Sequence, residues 1–205
     1  MKKTQLESLA YHAMRETMHR YYPLSDDTWQ RLTALCRFRE LEKNAVLYSL
    51  GDIPVSFSFV HQGLFRVFIT DAKGNEYNKN FFSEGMFPGS ISALLQSQPS
   101  AFSIVALEPS VIIEIDFKGF RQLLNDCDDL KWYQIHYLEK NWLILKEARE
   151  VEIVQEDATS RYARFCENHP DWLARLPQHH IASHLGITPT QLSRIRKKIS
   201  GHQPM

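Results

Sequence analysis

Apolar and polar positions change rhythm twice along the chain. Residues 5–20 predict a helix. So does the stretch after Ser25, where Trp29, Leu32 and Leu35 recur every three residues behind a capping hydroxyl. From about Phe38 short runs rich in Val, Ile, Phe and Tyr take over. They are punctuated by Gly51-Asp52, Gln62-Gly63, Asp71 to Asn75 and Glu84-Gly85, and Phe102–Asp116 adds two more runs around Glu108-Pro109. Apolar runs of this length between turn residues predict an antiparallel β-sandwich or barrel. Phe117–Asn125 predicts a short helix again.

Asp128 to about Glu156 contains neither Gly nor Pro. It predicts one helix roughly 40 Å long at 1.5 Å per residue. Two apolar stripes run along it. Tyr137, Ile144 and Val151 recur every seven positions, with Ala148 four after Ile144, while Leu138, Trp142 and Leu145 follow a second line. One stripe covers the β domain. The other needs a partner, most simply the same helix of a second subunit, and the pattern leaves open which stripe does which. Packing of both stripes inside one chain is the alternative.

Asp157, with Thr159 and Ser160, predicts a new helix start, so Glu156–Thr159 reads as a hinge. Farther on comes "HIASHLGITPTQLSRIRKKI", His180–Ile199. Pro177 and Gly186 bracket a short helix with Ile181, Ala182 and Leu185 inside. Thr188 caps a second helix, Pro189 fits its first turn, and Gly201 stops it. Leu192, Ile195 and Ile199 make the stripe that packs back, and Ala182 is small enough for two helices to cross closely. This is the pattern of a helix-turn-helix. The outer face of the second helix carries Pro189, Thr190, Gln191, Ser193, Arg194, Lys197 and Lys198, behind the Thr188 cap. Those residue types suit a DNA major groove. Arg pairs with guanine, Gln with adenine, and the distal lysines meet phosphates.

Charge sharpens this picture. The 205 residues carry a formal net charge of +0. Residues 157–205, however, hold seven Arg/Lys against three acids, and five of the nine His also lie there. A basic tail on a mildly acidic body suits a polyanion partner such as double-stranded DNA. Cys36, Cys127 and Cys166 are scattered, without a C-x-x-C. That predicts a reduced, cytoplasmic protein with no disulfide framework and no zinc or iron–sulfur site, and no metal or cofactor is expected elsewhere. The N-terminus lacks the apolar core of a signal peptide, and no apolar run suits a membrane. A cupin-like metalloenzyme would need clustered His and Glu on adjacent strands. Residues 38–118 hold only His61, with Glu76, Glu84, Glu108 and Glu114 scattered, so no catalytic residue is assigned. A β-roll interaction protein with a degenerate helix-turn-helix is the other alternative. The intact Ala182/Gly186/Leu192/Ile195 ladder and Arg194 weigh against it.

In its order of elements the chain resembles the Crp/Fnr family of bacterial transcription regulators. "SRYARFCENHPDWLARLPQHHIASHLGITPTQLSRIRKKI" looks like the C-terminal module of a group within that family. Gln62-Gly63 followed by Arg66, and Asp71 with Gly74, look like its β-roll turns. The resemblance implies an α+β fold: an N-terminal antiparallel β-roll (a jelly-roll-like double-stranded β-helix), a long dimerisation helix and a C-terminal winged-helix-like helix-turn-helix. It places a sensor domain at 1–156, with the dimer helix at about 128–156, and a DNA-binding domain at 157–205. The protein would act as a homodimer on a palindromic site. RNA polymerase and an unidentified small-molecule effector are the further partners it admits.

Three departures from the family qualify this. Cyclic-nucleotide-binding members carry Gly-Glu-Leu and, eleven residues after that Gly, Arg-Ser. Here the effector pocket would comprise Gly89, Ser90, Ile91, Ser100 and Ala101, with Ser90 in place of Glu and Ser100-Ala101 in place of Arg-Ser. A buried phosphate without a cation is costly, so cyclic AMP is not expected to bind in the usual way. Arg66 and Lys79 are other cations, but no pattern places them in the pocket. Next, only "SGHQPM" follows Ile199, so the wing is reduced, although "DWLARLPQ" has room for a half-wing of one or two short strands. Finally, Pro189-Thr190 stand where relatives carry Arg-Glu, while Arg194 matches a common base-contacting Arg.

Overall fold

The structure is a computed structural model that describes residues 3–147 and 156–200. Helices α1 (Lys3–His19) and α2 (Asp26–Thr33) precede strands β1 (Cys36–Leu41), β2 (Val46–Tyr48), β3 (Ser56–Gln62), β4 (Phe65–Thr70) and β5 (Glu76–Phe82). Helix α3 (Ile91–Gln96), strands β6 (Ser103–Ala106) and β7 (Ser110–Asp116), and helices α4 (Phe117–Asp126) and α5 (Asp128–Leu138) follow. The C-terminal helices are α6 (Ala158–Asn168), α7 (Trp172–Arg175), α8 (Gln178–His184) and α9 (Pro189–Ser200). The fold is α+β, with the antiparallel β-roll ahead of the C-terminal helices.

Two sheets build the roll, in the orders β1-β7-β3 and β2-β6-β4-β5. Strand β7 is the centre of the first and pairs antiparallel with both neighbours, which is why its apolar run is nearly unbroken. Its residues alternate in use. Val111, Ile113 and Ile115 join a core with Met14, Met18, Phe59, Phe87, Leu130 and Tyr133. Ile112 joins a second core with Val60, Phe65, Val67, Phe102 and Ile104. The period of two thus gives the sheet one face for the helices and one for the roll interior. Arg37 sits directly opposite Glu114 in the β1–β7 register and pairs with it, as does Arg39 at 3.2 Å.

Local chemistry sets the helix starts. Ser25 Oγ accepts from the Thr28 N–H at 3.2 Å, and Asp157 accepts from the Ser160 N–H at 2.8 Å. The Ser160 N–H holds the Asp157 carboxyl below the usual carboxylate range.

The long helix is not uniform. Residues Glu139–Ile144 are π-helical, and α-helical bonding returns at 145–147. Within this turn Asn141 Nδ2 donates to the Tyr137 carbonyl at 2.9 Å and to the Tyr21 hydroxyl at 3.0 Å, a side chain bonded into the helical ladder where the π turn lies. The widened turn breaks the seven-residue relation. Tyr137 packs on the core of its own chain, against Tyr21 and Phe87, whereas Ile144 is 60 % exposed. The expectation that these two share a stripe is therefore corrected. Leu138, Trp142 and Leu145 are exposed. Ala148 and Val151 lie outside the described residues, as does Gly201.

The described residues within Met1–Val67 and Phe81–Ile144 form one compact unit, and those within Phe68–Asn80 and Leu145–Met205 form a second. No helix among the described residues is long and apolar enough to cross a membrane.

Candidate nucleic-acid interface

Helices α8 and α9 form the bihelical corner. Gly186 makes the turn at φ +68°, a conformation that costs glycine little. Ile181, Ala182, Leu185 and Leu192 are buried, and Ala182 and Leu192 are fully so. Ile195 and Ile199 are half-buried on the same side. Helix α6 supports the corner through buried Tyr162 and Phe165, and Arg161 donates to the Leu185 carbonyl at 3.1 Å. The segment 171–178 is a correction. It holds the helical turn α7, not the strands of a half-wing. Trp172 is buried and stacks face to face on His169, 3.8 Å between centroids, and the Leu176 N–H closes the turn onto the Trp172 carbonyl at 2.8 Å. Burial also lowers the His169 pKa.

The opposite face of α9 is open. Thr188, Pro189, Thr190, Gln191, Ser193, Arg194, Lys197 and Lys198 are all exposed, and Arg196 with them. Basic residues occupy its last turn, which suits the helix dipole. The first turn is a reciprocal capping box. The Gln191 N–H donates to Thr188 Oγ1 at 3.2 Å, while Gln191 Oε1 accepts from the Thr188 N–H at 2.9 Å and the Thr188 hydroxyl at 3.1 Å. The Thr-x-x-Gln spacing was the available signal for this role.

Helix α8 has a contact that no local pattern announces. The Asn78 N–H, on edge strand β5, donates to Ser183 Oγ at 2.9 Å. That hydroxyl donates onward to the Glu76 carbonyl at 3.3 Å. Asn78 Nδ2 reaches the His180 carbonyl and His180 Nδ1, both at 3.1 Å. An edge strand carries unpaired backbone groups, and here a helix hydroxyl pairs them. Ser183→Ala leaves the buried Asn78 N–H without its acceptor. We expect about 1–3 kcal/mol of local destabilisation. It is read as faster amide exchange at Asn78, and an unchanged exchange rate would contradict the contact.

The positions expected to line an effector pocket lie between β5 and β6. Gly89 lies so close to Phe57 that a Cβ there would stand 2.8 Å from the Phe57 Cβ. Ser90 and Ser100 are 1 % and 2 % exposed, so both hydroxyls need partners. They find each other at 3.0 Å, and Ser100 Oγ lies 2.7 Å from the Phe102 carbonyl. Ile91 packs on the core, while Ala101 is exposed. Arg66 is half-buried on β4 and Lys79 exposed on β5. Among the described residues no group of three or more His, Cys, Asp or Glu is placed to hold a metal ion.

Comparison with known proteins agrees with this geometry. The cyclic nucleotide-binding domain family matches residues 38–127. The cAMP-activated global transcriptional regulator CRP of Pasteurella multocida is 23 % identical over 188 residues, covering 86 % of this chain and 89 % of its own. The c-di-GMP responsive global regulator CLP of Xanthomonas campestris superposes with a TM-score of 0.67 at 17 % identity, over 88 % of this chain and 96 % of CLP. FixK2 of Bradyrhizobium japonicum does so with a TM-score of 0.68 at 14 % identity, over 81 % and 85 %. The α+β fold is shared with these solved regulators, and the matched relatives are transcription regulators, not enzymes. Residues 38–127 thus carry the cyclic nucleotide-binding domain, and most of the chain is similar to Crp/Fnr-type regulators.

Proposed function

We propose that the chain is a sequence-specific DNA-binding regulator that works as a homodimer on a two-fold-related site. The observation that carries this reading is the exposed outer face of α9, polar at its start and cationic at its end, on a helix whose inner face is buried. Two such helices would enter successive major grooves about 34 Å apart. Arg194 reads a guanine, and Lys197 and Lys198 meet phosphates, which makes their contribution salt-dependent. The second subunit is supported by Trp142, Leu143, Ile144 and Leu145, four consecutive large apolar residues between 49 % and 60 % exposed. A soluble helix leaves such a run uncovered only where a partner covers it.

The sensor domain does not take cyclic AMP by the usual contacts. Ser90 and Ser100 satisfy one another and bring neither a carboxylate for a ribose nor a guanidinium for a phosphate. Cyclic AMP, the activator named for the Pasteurella relative, is therefore not expected to activate this chain.

Selection of random duplex DNA by the purified protein at fixed salt, with and without cyclic AMP, tests both statements. The expected result is one palindrome, the same in both arms. Arg194→Ala is expected to relax one position of each half-site by about 1–3 kcal/mol. No enrichment at low salt would defeat the DNA-binding reading, and enrichment only with cyclic AMP would defeat the sensor reading.

A further inference from the structure

Gln is ordinarily expected to read adenine in a major groove, because its oxygen accepts from N6–H while its nitrogen donates to N7. The capping box removes half of that capacity. Gln191 Oε1 already accepts two hydrogen bonds, from the Thr188 N–H at 2.9 Å and the Thr188 hydroxyl at 3.1 Å. A carboxamide oxygen has two lone pairs, so both are used. The assignment of oxygen and nitrogen is not arbitrary, since a backbone N–H has to meet an acceptor. What Gln191 keeps for a ligand is Nε2, with two donors and no acceptor, on an exposed residue in the first turn of α9. The first turns of a recognition helix are the part that contacts base edges.

We propose that Gln191 is a specificity-determining, donor-only reader that selects guanine and rejects adenine at one position of each half-site. Guanine presents N7 and O6, two acceptors side by side, to a group that has only donors. Adenine offers N7 beside the N6 amino group, which would face the Gln191 amide donor to donor. The inference rests on the DNA-binding reading above and adds the chemistry of one contact to it. Helix stability and base choice are then coupled in one side chain. To read adenine, Gln191 would have to give up the cap that starts the helix.

The test compares sites selected from random duplex DNA by the wild-type protein, Gln191→Glu, Gln191→Ala and Arg194→Ala, with thermal melting of each. Glu keeps the capping oxygens and loses both donors, so the melting temperature should hold. The guanine preference at one position should fall roughly 10-fold or more and move toward cytosine or adenine, which present amino donors. Ala should lose the same preference and also lower the melting temperature. The position lost in Arg194→Ala should be a different one. Wild-type selection of any base but guanine at the Gln191-dependent position overturns the proposal. A selected site that no Gln191 variant alters also overturns it and leaves Gln191 a cap alone. Absence of any enriched site with the wild-type protein at low salt overturns the DNA-binding reading itself, a result distinct from the other two.

Discussion

Glutamate at Leu138 and Trp142 should convert the protein to a monomer and lower its affinity for a palindromic site by about 10²–10⁴-fold. The affinity figure follows from losing the second, tethered half-site contact rather than any contact to DNA. Both side chains are substantially exposed, 39 % and 49 %, so the substitutions remove nothing from the core of the isolated chain. They sit four residues apart, and the charges would face each other across a two-fold axis where water is excluded. The far-UV spectrum should therefore stay native. Analytical ultracentrifugation at micromolar concentration gives the decision, and a persistent dimer of the double variant would place the seam elsewhere. The body-facing line of the same helix supplies the control. Tyr137→Phe keeps the ring packing against Tyr21 and Phe87 and should leave the dimer intact.

Leu192→Ala should disable DNA binding from the inside. Leu192 is fully buried at the meeting of α8 and α9, and truncation there leaves a cavity. Large-to-small changes of this kind cost about 2–5 kcal/mol. From α8 through α9 the other buried residues are only Ile181, Ala182 and Leu185, so Leu192 is the one buried anchor of α9 among the described residues. Urea unfolding should show the loss in the C-terminal helices first. Leu192→Met, which conserves volume, should cost less than about 1.5 kcal/mol and keep binding. Full binding by the alanine variant would mean that α9 is held by something other than its apolar stripe.

The two predictions act on helices whose existence was legible; the partner of the Leu192 stripe was legible too, whereas that of the long helix was left open. Ser25, Asp157 and Thr188 could be read as caps because a cap is a local bargain between one side chain and an N–H two or three residues on. Gly186 could be read as the corner for a similar reason. The half-wing in 171–178 failed, because Trp172 finds its place against His169 and Phe165 in a helical turn. Gln191 could be seen as an exposed amide in the right element. Its commitment to the cap needed only the Thr-x-x-Gln spacing, which adenine recognition overshadowed.

The sequence by itself determined the order of elements, the alternation that gives β7 a helix side and a roll side, the caps and turns, and the residue types on the open face of α9. All of these rest on interactions within a few positions or on a simple period. Only the tertiary structure decided which line of the long helix meets its own chain. Asn141, inside the π turn that shifts the helical phase, bonds to Tyr21, 120 residues away. Tertiary structure likewise brought Asn78 to Ser183 and His180, and turned the Ser90 and Ser100 hydroxyls on each other. These contacts join positions from 10 to 120 residues apart, beyond the reach of any cap or simple period. Their energies depend on where folding has already placed both partners, so no local pattern records them.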